Sequence, residues 1–265
     1  MQPETMMNTS ASTRMILFLL FGLFTGGLFS CAKESSLVQP DVKSGSLARF
    51  VVHQGYLYSL NHHEVITFAV QADGVPLLVD RLPLDYGLET IIVYEGLVYV
   101  GARTGLYILD IAQPGKPVML SRTERSQSLL GGCDPVVVRD SFAFSTVKII
   151  NTICGQTNVR SALLVYQVAD PTAPEEVGQY DLDEPNGLGY KGDVLFVCDE
   201  GSDRVVLLDI ADPRFVKLLD IEVPIEDPID LIIHGERMVV ATRTAFQFYD
   251  IQDIQDIRPL GTISK

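Results

Sequence analysis

The chain has 265 residues, of which 47% are hydrophobic and 20% are charged, so it has enough apolar surface to bury a core. Its 34 acidic residues outnumber its 20 Lys and Arg residues, which gives a formal net charge of −14. Binding to nucleic acid depends on concentrated positive charge, so this balance argues against a nucleic-acid partner. All-β domains of roughly 200 to 250 residues commonly fold as one unit, and we therefore expect one main domain.

Residues 1–30 have the order of a secretory signal peptide. Arg14 precedes an uncharged apolar run over 15–24, and small residues follow before Cys31. A membrane-spanning helix needs about 20 apolar residues, which this run barely reaches before Lys33 and Glu34. The pattern favours a cleaved export signal over a permanent transmembrane anchor.

The segment Leu28-Phe29-Ser30-Cys31 resembles the lipobox of bacterial lipoproteins. The resemblance implies that Cys31 carries lipid and becomes the mature N-terminus, so that the protein is anchored to a membrane without spanning it. It also implies a cell-envelope location at the outer membrane, on its periplasmic or its surface face. Residues 31–46 are then the lipidated cysteine and a polar tether.

Residues 47–265 contain a repeated unit of four short β-strands. The apolar runs are short, rich in Val, Ile, Tyr and Phe, and bounded by Gly, Pro, Asp and Asn, which is typical of strands. The second unit has the clearest pattern, with strands predicted over 89–96, 97–103, 105–111 and 114–121. We place the five units at 47–86, 87–130, 131–185, 186–228 and 229–265.

Two landmarks recur in each unit and fix the register of the repeat. The first is a tight turn between the first two strands, predicted at Gly55, Gly96, Asp140, Gly192 and Gly235. The second ends the third strand, as in Asp209-Ile-Ala-Asp-Pro213, because Asp caps a turn and Pro cannot donate to a strand ladder. Five such units predict an all-β fold, a β-propeller of about five four-stranded blades.

The repeat resembles that of the LVIVD-repeat proteins found among bacterial lipoproteins. The segments that carry the resemblance are 105–114, 133–138, 187–199 and 205–213. The resemblance implies a β-propeller over the length of 47–265 on a lipoprotein. It implies no defined activity, because propellers host many unrelated functions.

Cysteine placement predicts one disulfide. Cys133 opens the third unit and Cys154 lies in an insertion of the same unit, where a long loop can fold back onto a strand start. Two separate buried thiols are the alternative. Cys198 lies in an apolar strand, which indicates a buried, unreactive thiol.

No motif in the sequence indicates a cofactor or a metal. His62 and His63 are adjacent, so on a strand they point to opposite faces and do not share one metal ion. The acidic turn of 199–203 lacks the ligand pattern of an EF-hand loop and is interpreted as a solvated turn.

The strongest candidate site is distributed over the five units. Polar residues stand near the start of each first strand, which a propeller places around its axis. They are Arg49, Glu89, Asp134, Asn186 and Asp230. Either radial symmetry brings them together as a ligand site at one mouth of the axis, or they cap strand starts beside water.

Two functions remain open at this point. The first is a non-enzymatic module at the envelope that binds a protein or a glycan, since no catalytic set is evident. The second is a carbohydrate-active hydrolase that uses axial carboxylates such as Glu89 and Asp134, because glycoside hydrolysis requires a pair of them. No Gly-x-Ser-x-Gly elbow or phosphate-binding loop is present.

Overall fold

The structure is a computed structural model that describes Ser44–Gly45 and residues 47–124, 135–149 and 161–265. Within those ranges the chain forms 22 strands and one short 3-10 turn over Glu200–Ser202. The described part of the chain contains no helix with the length and hydropathy needed to cross a membrane. The proposed signal peptide lies outside the described residues.

The strands form five sheets, each ordered along the chain from an inner to an outer strand. Blade 1 contains β2 (Phe50–His53), β3 (Tyr56–Leu60), β4 (Glu64–Val70) and β5 (Pro76–Pro83). Blade 2 contains β6 (Leu88–Tyr94), β7 (Leu97–Ala102), β8 (Gly105–Asp110) and β9 (Val118–Arg122). Blade 3 contains β10 (Val136–Arg139), β11 (Phe142–Val147), β12 (Ala162–Gln167) and β13 (Glu175–Asp181). Blade 4 contains β14 (Pro185–Lys191), β15 (Val194–Asp199), β16 (Arg204–Asp209), β17 (Lys217–Leu218) and β18 (Val223–Pro224). Blade 5 contains β19 (Pro228–His234), β20 (Arg237–Thr242), β21 (Ala245–Asp250) and β22 (Arg258–Ser264).

Each blade is an antiparallel meander, and in blade 4 the outer strand is divided into β17 and β18, which both pair with β16. The predicted turn between the first two strands is confirmed in all five blades. Positive φ angles occur at Gly55 (79°), Gly96 (77°), Asp140 (52°), Gly192 (56°) and Gly235 (57°). Two-residue hairpins need positive φ at their centre, which explains why Gly or Asp occupies these positions.

The blades pack face to face in sequence order, as the predicted β-propeller requires. Buried clusters of apolar side chains join blade 1 to blade 2, blade 2 to blade 3, blade 3 to blade 4, and blade 4 to blade 5. The inner strands of successive blades also contact each other, which places them around a common axis. Within the described ranges, no such cluster joins blade 5 to blade 1.

The segment before blade 1 crosses the axis. β1 (Ser44–Gly45) pairs with the inner strand of blade 4, opposite Gly189 and Leu188. The sequence assigns Ser44 and Gly45 to the polar tether, and in the structure these two residues pair with the propeller. Two small polar residues carry no strand signal of their own, and their pairing is decided by the free inner edge of β14.

Candidate functional site

The four described members of the axial set divide into two groups. Arg49 and Glu89 line one pocket beside blades 1 and 2, whereas Asn186 and Asp230 lie where blade 4 meets blade 5. Asp134, the fifth member, lies outside the described residues. The structure therefore does not bring the four together in one constellation.

The chain itself occupies the axis between these groups. The Leu47 amide donates to Asp230 Oδ2 in blade 5 at 3.1 Å, and the carbonyl of Ala48 accepts the Ile91 amide of blade 2 at 3.1 Å. Arg49 Nη2 donates to the Leu88 carbonyl, also in blade 2, at 2.9 Å. These residues, Ser44–Gly45 and 47–49, are here called the entering segment. The entering segment links blades 4, 5 and 2 before the first strand of blade 1 begins.

Asp230 is a largely buried carboxyl group beside this segment. It accepts amide hydrogen bonds from Leu47 and, at 2.9 Å, from Leu231. Burial raises the pKa of Asp230 to about 6, because it disfavours the charged form more than the two amide bonds favour it. On the neighbouring strand, a Cβ at Gly187 would lie 2.1 Å from Asp230 Oδ1, so glycine is needed there.

The group formed by Arg49 and Glu89 belongs to the mouth pocket, a cavity of about 320 Å³. The residues that line it are Leu47, Arg49, His62, Tyr86, Gly87, Leu88, Glu89, Thr90 and Arg103. The wall is ordered by backbone hydrogen bonds, since the Gly87 amide donates to the His62 carbonyl and the Arg103 amide donates to the Gly87 carbonyl. Gly87 has φ +93°, and a Cβ there would press on the Arg103 side chain at 3.2 Å.

Aromatic and charged groups share this pocket. The rings of His62 and Tyr86 stack with centroids 5.9 Å apart and an 18° angle between planes. Arg103 Nε contacts Glu89 Oε1 at 2.8 Å. The other oxygen, Glu89 Oε2, is buried and has no hydrogen-bond partner among the described residues. Two guanidinium groups thus face one carboxylate in the described lining, in a protein whose net charge is −14.

A second cluster of charges lies at Asn186 and was not recognised in the sequence. Lys148 contacts Glu184 at 2.9 Å and also Glu200, which in turn pairs with Arg243. Burial raises the pKa of Glu200, but hydrogen bonds from Lys148, Asn186 and Arg243 outweigh it and lower this pKa to about 2. The partners are far apart in sequence, so no local pattern predicts their contact.

The acidic turn next to this cluster has a structural role in the chain. Asp199 accepts the backbone amides of Asp183 at 3.2 Å and Glu184 at 2.7 Å, which fixes the approach to β14. In the described ranges, no group of three or more His, Cys, Asp or Glu side chains is placed to hold a metal ion.

The cysteine predictions are tested at one position. Cys198 is a free cysteine and is buried, so the predicted buried thiol is confirmed, and burial raises its pKa well above the usual value. Cys31, Cys133 and Cys154 lie outside the described residues, and both the lipidation and the disulfide stay predictions.

Comparison with known proteins agrees with the repeat. Residues 89–124 match the LVIVD repeat, which confirms the resemblance at blade 2. No curated protein matches the sequence.

Solved structures share the fold at low sequence identity. A protein of unknown function from Desulfotomaculum acetoxidans is 9% identical, with a TM-score of 0.65 over 86% of this chain and 71% of that chain. A protein from Lactobacillus plantarum is 14% identical, with a TM-score of 0.65 over 78% and 67% of the two chains. The periplasmic gluconolactonase of Pseudomonas aeruginosa is 14% identical, with a TM-score of 0.60 over 78% and 67%. These similarities establish the fold alone.

Proposed function

We propose that this propeller is a non-catalytic interaction module of the cell envelope that binds an acidic glycan in the mouth pocket. The observation that carries the proposal is the stacked pair of His62 and Tyr86 beside Arg49, Glu89 and Arg103. Ligand sites in propellers usually lie at a mouth of the axis, where loops and inner strands converge.

The chemistry of the pocket suits a sugar acid. One face of a pyranose ring is apolar and packs on an aromatic ring, and the exposed Tyr86 provides such a surface. Guanidinium groups such as that of Arg49 bind carboxylates through paired N–H donors. Glu89 adds a carboxylate to the polar lining beside the two guanidinium groups. A neutral sugar would use the aromatic ring and Glu89 but not the excess positive charge.

The anchor is part of the same proposal. A signal that ends at Cys31 and a tether that ends near Ser44 would hold the propeller close to the outer membrane, on its periplasmic or its surface face. Binding through one small pocket is then strengthened by the high local concentration of the anchored protein.

A hydrolase is the competing function, and Glu89 is the observation that favours it. An unpartnered carboxylate oxygen in a pocket is a candidate general base. The described lining contains one carboxylate, whereas glycoside hydrolysis uses two, and the second predicted member, Asp134, lies outside the described residues. The periplasmic gluconolactonase of Pseudomonas aeruginosa shares the fold, but 14% identity transfers no activity to this chain.

The test is calorimetric titration of the full chain in detergent with glucuronate and with glucose. We expect glucuronate to bind and glucose to bind about tenfold more weakly or not at all. Tyr86→Ala should reduce the affinity for glucuronate by about tenfold, the value of one aromatic contact. Arg49→Gln should remove the preference for glucuronate over glucose.

Phe215→Ala is the matched control, since Phe215 is 68% exposed and Tyr86 is 69% exposed but Phe215 lies in blade 4, away from the pocket. Equal affinity of the Tyr86→Ala variant and the wild type would contradict the proposal, as would no binding of either sugar. Turnover of a nitrophenyl glucuronide by the wild type that Glu89→Gln abolishes would establish the hydrolase instead.

A further inference from the structure

In the described part of the chain, the two terminal blades each have a face that no other blade covers. In the middle blades, strands such as β7, β11 and β15 are buried at five successive positions, because neighbours pack on both faces. In β3 of blade 1 and β20 of blade 5, buried positions alternate with more accessible ones. The accessible positions include Leu57, Val239 and Ala241, so the uncovered face of each sheet still carries apolar side chains.

Cross-strand pairing identifies the side chains on each uncovered face, because directly paired residues share a face. The free face of blade 1 carries Phe50, Val52, Leu57, Ile66 and Phe68. The free face of blade 5 carries Ile232, Val239, Phe246, Phe248 and Ile263. Phe50 is 61% exposed and Phe246 is 40% exposed. Contiguous apolar surfaces of this kind mark interaction sites.

Two of the four internal blade interfaces, that of blades 3 and 4 and that of blades 4 and 5, share a polar contact, here called the clasp. The last residue of an inner strand reaches the next blade and donates to a carbonyl at the end of its third strand. Arg139 Nη1 donates to the Ile210 carbonyl at 3.0 Å, and Lys191 Nζ donates to the Ile251 carbonyl at 2.6 Å. Each cation also pairs with an acid in the turn of the next blade, Asp193 and Glu236 respectively.

Each free face has one half of a clasp. His234 ends the inner strand of blade 5 at the position of Arg139 and Lys191, and it has no partner among the described residues. Val70 of blade 1 corresponds to Ile210 and Ile251, since the amides of all three donate to the first hairpin of their own blade. Val70 is 39% exposed whereas Ile210 and Ile251 are 0% exposed. Blade 5 therefore carries the donor half and blade 1 carries the acceptor half.

The entering segment lies between the two free faces at the axis. Leu47 is bonded to Asp230 of blade 5, while Ala48 and Arg49 are bonded to blade 2.

We propose that the free face of blade 5 in one copy of this protein packs on the free face of blade 1 in a second copy. The two halves of the clasp and the two apolar faces are complementary to each other, not each to itself. The contact is therefore head to tail, and it repeats between molecules the interface that the chain makes four times within itself. This inference is independent of the glycan proposal.

The test is sedimentation velocity of the full chain in density-matched detergent over a hundredfold range of concentration. We expect the wild type to form dimers or larger species as concentration rises. Phe50→Glu and Phe246→Glu each destroy one face, and each variant alone should associate at least tenfold more weakly. Phe215→Glu alters an aromatic residue of similar exposure in blade 4 and should associate like the wild type.

Mixing the two variants distinguishes a head-to-tail contact from other arrangements. The Phe50→Glu variant keeps an intact blade 5 face and the Phe246→Glu variant keeps an intact blade 1 face, so an equimolar mixture should form heterodimers. A wild type that is monomeric at every concentration overturns the proposal. So does a mixture that stays monomeric, which is the result expected if blades 5 and 1 close within one molecule or bind a different protein. Circular dichroism of each variant verifies that it is folded. A second experiment avoids a destabilising charge: a benzophenone side chain at position 50 that cross-links to blade 5 of another copy would support the contact.

Discussion

At the scale of single residues, Asp230 connects the entering chain to the propeller through a carboxyl group that prefers its proton. Its pKa in the folded protein is raised to about 6 by burial, against about 4 for an unfolded aspartate. The stabilising contribution of the protonated form is complete below about pH 4 and is lost as the pH rises through about 6. This difference in pKa corresponds to roughly 2 to 3 kcal/mol of the free energy of unfolding.

We therefore expect Asp230→Asn to flatten the pH dependence of stability. An amide keeps an acceptor for Leu47 but does not ionise, so the free energy of unfolding of the wild type should fall relative to this variant between pH 4 and pH 7. Urea denaturation of both proteins across that range measures the difference. The exposed Asp220→Asn is the control and should follow the wild type. Parallel stability curves for the wild type and Asp230→Asn would show that Asp230 ionises normally.

At the scale of the strand, an aspartate ends the third strand in blades 2, 4 and 5 and organises the turn that follows. The Asp209 carboxylate accepts the Ala211 amide at 2.9 Å, and the equivalent bonds occur at Asp110 and Asp250. The side chain satisfies an amide that has left the strand ladder, which is the reason Asp is favoured there.

Loss of one such bond should have a modest and local cost. We expect Asp209→Ala to lower the free energy of unfolding by about 1 kcal/mol, the usual net value of one hydrogen bond. Urea denaturation with an unchanged m-value would measure it. Asp220→Ala removes the same charge from an exposed position in the same blade and should change the stability by less than about 0.5 kcal/mol. If the two substitutions lower the free energy of unfolding equally, the effect comes from removing a negative charge and not from losing the hydrogen bond of the turn.

Strands and hairpins were predictable because their signals are local. The turn at Gly96 and the third strand ending at Asp110 each depend on residues a few positions apart. The bond from Leu47 to Asp230 and the pair of Lys148 with Glu200 join residues on different blades, so the repeat predicts that they are near the axis but not which atoms meet. The same limit explains why the sequence left open whether the axial residues form one ligand site or cap strand starts beside water.

At the scale of the whole molecule, the five blades form an arc whose two ends resemble its internal interfaces. The solved structures with this fold are longer, since the chain covers 71% of the Desulfotomaculum acetoxidans protein and 67% of the Pseudomonas aeruginosa gluconolactonase. A blade in the middle of the arc is stabilised from both sides, while blades 1 and 5 are each stabilised from one. Stability should therefore vary along the arc instead of being uniform.

Hydrogen exchange followed by mass spectrometry tests this gradient. At low protein concentration, amides in β3 of blade 1 and β20 of blade 5 should exchange at least tenfold faster than those in β11 of blade 3, because opening a terminal blade exposes one apolar interface and opening a middle blade exposes two. The comparison is matched, since all three are the second strand of their blade. At high concentration, head-to-tail contact should slow exchange in β3 and β20 and leave β11 unchanged. Uniform exchange across the five blades at low concentration would mean that the terminal faces are already covered within one molecule. Protection that rises equally in all three strands with concentration would mean that concentration acts on global unfolding.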